Sequence, residues 1–280
     1  MQESIQVIRD ALSTLQESIQ VIRDALPTLL QGAQESIQVI RDALPTLLRG
    51  AFVTIWLTAA TVVIGVILGS LLGIARVSAS APLRWFARAY IDFFRGTPLL
   101  VQLLIVYFGL PSLLTTLGSP IRMERWVAAI AALSLNAAAY IGEIVRAGIQ
   151  SIEVGQREAS ESLGLSGTQT MRYIIFPQAF RRMIPPIGNE FIALLKDTSL
   201  VSVISYQELL QSGRIVVART YRAFEIYIAV AIVYLILTLL ASRLFEYVER
   251  RMNPVERAKR RPAPAGANLS VDGGDHPAEL

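Results

Sequence analysis

The sequence predicts an all-α membrane protein of about five spanning helices, and three observations carry that prediction. The chain has 280 residues, of which 53% are hydrophobic and only 17% charged. Those charges cluster, so the apolar residues fall in long runs. Phe52 to Ile74 holds 23 residues without a charge, enough at about 1.5 Å per residue to cross a hydrocarbon core of about 30 Å. Between such runs lies one polar island, 155–177, with helix stop and start signals of its own.

Composition also excludes several chemistries. The chain has no cysteine, which removes disulfides, iron–sulfur clusters and thiol catalysis. Its single histidine, His276, lies in a polar tail, so a histidine-based metal site or catalytic triad is excluded. The only lysines are Lys196 and Lys259 and neither follows a glycine, so the G-x-x-x-x-G-K-[ST] loop for ATP is absent. No metal or other cofactor is expected on this chain, and no nucleic-acid partner. An enzyme is the weakest functional class.

Taken in order, the N-terminus carries a repeat. Glu3-Ser-Ile-Gln-Val-Ile-Arg-Asp-Ala-Leu recurs at Glu17 and at Glu35. Offsets of 14 and 18 residues are close to four and five helical turns, so each copy keeps its apolar side in register. Ile5, Ile8, Leu12 and Leu15 mark that side in the first copy. Three copies at uneven spacing do not make a solenoid. Segment 1–43 is therefore expected to be a repeated amphipathic stretch, its first two copies a duplication or extension without a function of their own. The alternative is an interfacial helix on the membrane. It is weakened because each copy sets one Arg against one Glu and one Asp.

Spans are expected at 52–74, 94–110, 126–145, 184–205 and 226–242. The second is entered through Arg95-Gly96-Thr97-Pro98, a helix-breaking stretch with a basic residue. It reads either as a kinked helix with Arg95 at the headgroups or as a broken helix whose backbone faces a pathway. Asn136 sits deep in the third span and can bond a neighbouring helix or a solute. Glu143 and Arg146, three apart, suit a local ion pair. The fourth span is interrupted by Asn189, Glu190, Lys196 and Asp197, and hydropathy alone allows a re-entrant segment there. Glu190 and Asp197 are seven apart and share one face, with Asn189 and Lys196 on an adjacent one. Ionisable groups at such depth face a bundle interior or a water-filled cavity. They either tie helices together or meet a solute. After Asn253-Pro254 the chain turns rich in Pro, Gly and Asp, so 251–280 is expected to be a disordered tail.

The polar island predicts two short helices with a tight break. The first runs through Glu158 and Ala159 to Leu163 and stops at Gly164, suited to a left-handed cap. Ser166 offers an N-cap, with Gln169 three residues on completing a capping box. Pro177 is where the second helix must end or kink. Leu163, Leu165, Met171, Ile174 and Ile175 form an apolar side that calls for a groove on a partner.

Glu158-Ala159-Ser160, then Gly164, then Ile174-x-Phe176-Pro177 resembles the EAA loop of bacterial ATP-binding-cassette importer permeases. Ser160 stands for Ala and Phe176 for Leu, both mild changes. Three further stretches, Ile91–Leu103, Ala138–Gly148 and Pro186–Val203, resemble the polar amino-acid branch, and the similarity covers about 44–250. The resemblance implies the type I importer permease fold and decides for a span at 184–205. It implies that 155–177 is the cytoplasmic coupling hairpin, with Glu158, Ala159, Gly164, Ile174 and Pro177 docking on partner ATPases that use ATP and Mg²⁺. It further implies a second permease subunit, identical or related, and an extracytoplasmic amino-acid-binding protein. Asn136, Asn189, Glu190, Lys196 and Asp197 are the candidate pathway residues, since a zwitterion needs acidic and basic or amide partners. Two other classes stand beside this one: a secondary transporter driven by an ion gradient, and a docking scaffold without a cavity.

Orientation follows from basic residues. The 76–95 connection, the island with its flanks and the C-terminal end carry sixteen, against nine on the other side. That count puts the island and the C-terminus in the cytoplasm and the N-terminus outside a bacterial cytoplasmic membrane.

Overall fold

The structure is a computed structural model that describes residues 2–252. The tail from 253 onward and the apolar side expected of the first repeat copy lie outside the described residues. Helix α1 runs unbroken over Gln2–Val77, so the repeats and the first apolar run form one rod. The third repeat copy belongs to the packed body. Ser36 Oγ donates to Glu225 Oε1 at 3.3 Å, and Glu35 lies 3.6 Å from Arg222. Ala43, Leu47 and Ala51 bury against Leu209, Ile226, Ala229 and Val230.

Farther along, α1 packs on the central helix α5 (Arg125–Gln150). The seam is made by Gly65, Gly69 and Gly73, one helical turn apart. A Cβ on Gly69 would sit 2.8 Å from the Ala138 carbonyl oxygen, and one on Gly73 would sit 2.5 Å from Val145 Cβ. Small residues on one stripe let two backbones approach this closely, which is how helices associate where no hydrophobic effect separates them from lipid.

Helix α2 (Ala81–Gly96) follows a short turn and ends at Thr97, whose backbone is extended, as is that of Pro98. Helix α3 (Leu99–Leu104), a π turn (Ile105–Gly109) and α4 (Leu110–Thr116) continue beyond the break. The break is real, but its depth differs from the expectation that put Arg95 at the headgroups. Tyr90 of α2 donates to the Leu135 carbonyl at 2.8 Å, and Asn136 Nδ2 donates to the Phe94 carbonyl at 3.3 Å. Both partners lie near the middle of α5. Arg95 is thus beside mid-helix, and the second crossing path starts at Ala81, ahead of residue 94. Arg95 no longer counts as a loop charge.

Beyond α5 come α6 (Val154–Ser162), the short α7 (Gly167–Gln169), a π turn (Thr170–Ile175) and α8 (Phe176–Asp197). A 3₁₀ segment (Thr198–Ile204) leads to α9 (Leu209–Thr220) and α10 (Ala223–Met252). Of the two outcomes expected at Pro177, an end or a kink, the helix does not end there. The proline sits at the start of α8 straight after the π turn, and Pro111 sits just after the other π turn. Proline lacks an N–H and its ring crowds the carbonyl four residues back, so a local widening of the helix relieves both.

Among the described residues, four helical stretches are long and apolar enough to cross a membrane: Leu30–Val77, Leu99–Thr116, Arg125–Gln150 and Ala223–Met252. Helix α8 is not one of them, because Arg181, Arg182, Glu190, Lys196 and Asp197 dilute it. It nevertheless buries Ala179, Met183 and Leu194 in the core that α5 forms with the π turn.

Candidate functional site

A cavity of about 470 Å³ opens at the α2–α3 break. Arg95, Thr97, Asn136, Tyr140, Glu190 and Asp197 line it. The break supplies one wall, α5 a second and α8 a third. Its irregular backbone is held by amides. Gln102 Nε2 donates to the carbonyls of Phe94 and Thr97 at 2.9 and 3.0 Å and lies 2.8 Å from Thr97 Oγ1. Asn136 Nδ2 donates to Gln102 Oε1 at 3.0 Å and also reaches the Phe94 carbonyl. A helix end leaves carbonyls without intrahelical partners, and burying them unpaired would be costly. Asn136 thus bonds a neighbouring helical segment, one of its two expected roles, and it also lines the cavity.

Charge is distributed across the opening. The Arg95 guanidinium lies 5.4 Å from the Tyr140 ring centroid, within range of a cation–π contact. Glu190 and Asp197 face the same space from α8, as their seven-residue spacing predicts. Among the described residues no ion pair within 4 Å engages Lys196, Glu190 or Asp197, so the cavity charges are not spent on tying helices together. Asn189 and Lys196 are exposed and do not line the cavity. Of the five candidate pathway residues, the structure brings three together and leaves two apart. Glu143 makes the expected bond to Arg146, Nε donating at 3.0 Å, and Arg76 of α1 approaches it at 4.0 Å.

The hairpin follows its local signals. Gly164 has φ +80°, the left-handed conformation that ends α6. Ser166 and Gln169 form a reciprocal capping box. Glu158, Ala159 and Gly164 are exposed, and so is Pro177. The apolar side is a correction. Ile175 is buried, and Met171 and Ile174 pack on the core containing Ile149 and Ile152. They are satisfied within the chain. Val154 and Leu163 protrude most, 70% and 82% exposed, with Tyr173 and Phe176 also exposed. The departure at Ser160 has a structural role: its hydroxyl donates to the Arg157 carbonyl at 2.7 Å and bonds Thr170 Oγ1 at 2.9 Å, and so clamps α6 to the π turn, with both side chains buried.

Three contributors escaped sequence reasoning: Gln102, Tyr140 and the Ser160–Thr170 pair. Gln102 alone left a signal, as a lone amide inside an apolar run four residues after a proline.

Comparison with known proteins adds a lineage. Residues 65–254 match the family described as binding-protein-dependent transport system inner membrane component. The glutamine transport system permease protein of Escherichia coli K12 is 42% identical over 199 residues, covering 71% of this chain and 89% of that protein. The arginine transport system permease protein of Bacillus subtilis is 39% identical over 200 residues, with the same coverage. A crystal structure of an amino-acid ABC transporter with histidines superposes with a TM-score of 0.69 at 41% identity, covering 74% of this chain and 94% of that one. An inward-facing methionine ABC transporter, at 22% identity, shares the fold with a TM-score of 0.62 over 75% and 97% of the two chains.

Proposed function

This chain belongs to the family of inner membrane components of binding-protein-dependent transport systems, and on that premise we propose that it is the permease subunit of an ATP-driven importer for a polar amino acid. Its fold is that of the type I ABC importer permeases. The observation that carries the coupling part of the reading is the hairpin. Two capped turns, clamped to each other and packed on the core, present Val154 and Leu163 outward where a partner ATPase can seat them. The partner consumes ATP with its Mg²⁺; this chain supplies the lever.

The cavity at the break is the solute site in this reading. Arg95 and Asn136 suit an amino acid's carboxylate, and Glu190 and Asp197 suit its ammonium. ATP binding draws the partner ATPases together and moves the hairpins with them. The paired permeases rock from inward-open to outward-open, and the binding protein delivers its amino acid to the cavity. Hydrolysis resets the pair. Helix α8 with its 3₁₀ extension is the remaining span, crossing with Glu190 and Asp197 turned to the cavity. The hairpin and C-terminus face the cytoplasm.

Gly164→Asp tests the reading. A Cβ at this position would meet nothing within 4 Å inside the chain, and the strain of an aspartate at φ +80°, about 1–2 kcal/mol, falls on the exposed cap alone, so membrane insertion and the core should survive. Co-purification of an ATPase from solubilised membranes and amino-acid uptake should both be lost. Normal uptake with normal ATPase recruitment would sink the assignment, and a wild-type chain that purifies without any ATPase would turn it towards a secondary transporter.

A further inference from the structure

We propose that the crevice between the α1–α2 turn and the coupling helix is a binding site for a phosphate group, and that its occupant is the headgroup of an anionic phospholipid. A cavity of about 440 Å³ lies here, lined by Arg76 at the end of α1, Arg84 in the first turn of α2 and Arg157 of α6. The first turn of α6 lines it too, through Glu153 and Val154. Glu153 is the N-cap of α6 but makes no side-chain capping bond, so the free N–H groups there add to the positive field. Independently, the Nε of Arg76 is buried without a hydrogen-bond partner. A buried guanidinium donor left unpaired is costly, and an incoming phosphate oxygen would satisfy it.

The charge balance favours an anion. Glu143 faces Arg76 but is already bonded by Arg146. Glu153 lies at the rim, exposed to solvent. Four guanidiniums thus stand against two carboxylates, which leaves room for the single charge of a phosphodiester. Arg84 is preset: its Nη1 donates to the carbonyls of Ser78 and Ala79 at 2.7 and 2.6 Å, holding the turn that frames the crevice.

A lipid, and not free phosphate, is argued by what adjoins the arginines. A second cavity of about 730 Å³ shares Val77, Ile149, Arg157 and Ile175 with the first and continues over Ile74, Met171 and Phe176, a mostly apolar trough. Beside it, Leu83, Trp85 and Phe86 of α2 are exposed, Trp85 by 71%. An exposed tryptophan next to arginines is the composition of a membrane–water boundary. Basic crevices between membrane helices at that level hold anionic headgroups.

The test is a lipid titration of the purified full-length chain by native mass spectrometry, comparing phosphatidylglycerol with phosphatidylcholine. Wild type should hold one phosphatidylglycerol in clear preference. The exposed change Arg157→Gln should weaken that preference about fivefold, and Arg76→Gln with Arg157→Gln about thirtyfold. Arg122→Gln, far along the chain from the crevice, should leave it unchanged. The single Arg157 variant keeps the experiment decisive if the double variant fails to fold. Equal retention in wild type and Arg157→Gln would overturn the site. Displacement of the lipid by millimolar inorganic phosphate would overturn the lipid as its occupant.

Discussion

At the scale of single residues, the cavity depends on two uncharged amides that hold its wall in shape. Gln102 and Asn136 take up the carbonyls that the α2–α3 break exposes, and both are buried, 4% and 6% exposed. Gln102→Leu should therefore cost about 1–3 kcal/mol, the penalty of orphaned buried acceptors, read as a lower thermal midpoint in detergent. The charged residues divide differently. Asp197 lines the cavity and Lys196, its neighbour, does not. Asp197→Asn should weaken solute affinity about tenfold or more, the scale of one lost charge-assisted contact. Lys196→Gln should leave it within about twofold. Equal losses in both variants, measured by binding to the reconstituted importer, would mean that α8 acts through its overall field and not through this face.

At the scale of elements, what was legible in the sequence is what is decided locally. Gly164, Ser166 and Gln169 fix their own caps within a few residues, so the hairpin's break could be read directly. The α2–α3 break could be read as well, from Gly96-Thr97-Pro98. Its depth could not, since depth is set by where Tyr90 and Phe94 meet α5, more than forty residues away. The same limit explains Ile174 and Ile175. Their apolar side was visible, but whether it served a partner or the chain's own core depended on the distant Ile149 and Ile152. The Gly65-Gly69-Gly73 stripe was present in the letters, yet only the approach of α5 shows what it is for. A replacement such as Gly69→Leu should prevent the seam from closing and abolish stable folding.

The Ser160–Thr170 clamp is also an element-scale device, and its worth can be isolated. Ser160→Ala removes the hydroxyl partner and leaves the buried Thr170 hydroxyl to find another, at a cost of about 1 kcal/mol. Replacing both, with Thr170→Val, should recover most of that loss, since no polar group is then stranded. Hydrogen exchange across 154–175 would report it: faster in the single variant, near wild type in the double. Uptake that falls in the single variant and returns in the double would show that the hairpin must move as one body to transmit force.

At the scale of the whole molecule, the proposed mechanism needs the hairpin and the cavity on one rigid unit, with the hairpin in the cytoplasm. Rigidity is built in, because the π turn and α8 continue the hairpin directly into the wall that carries Glu190 and Asp197. Force applied at Leu163 crosses only the capped turn at 163–166, bridged by the Ser160–Thr170 contact, before it enters that continuous helix. The proposed facing rests on the bias of basic residues, which losing Arg95 from the loop count leaves in place. The absence of cysteine makes that orientation directly testable. Leu163 and Ile121 are both exposed, on opposite ends of α5 and its connections. In intact cells a membrane-impermeant maleimide should label Ile121→Cys and spare Leu163→Cys. In inverted vesicles the pattern should reverse. The opposite result would place the hairpin outside, out of reach of any ATPase, and the import mechanism would fall with it.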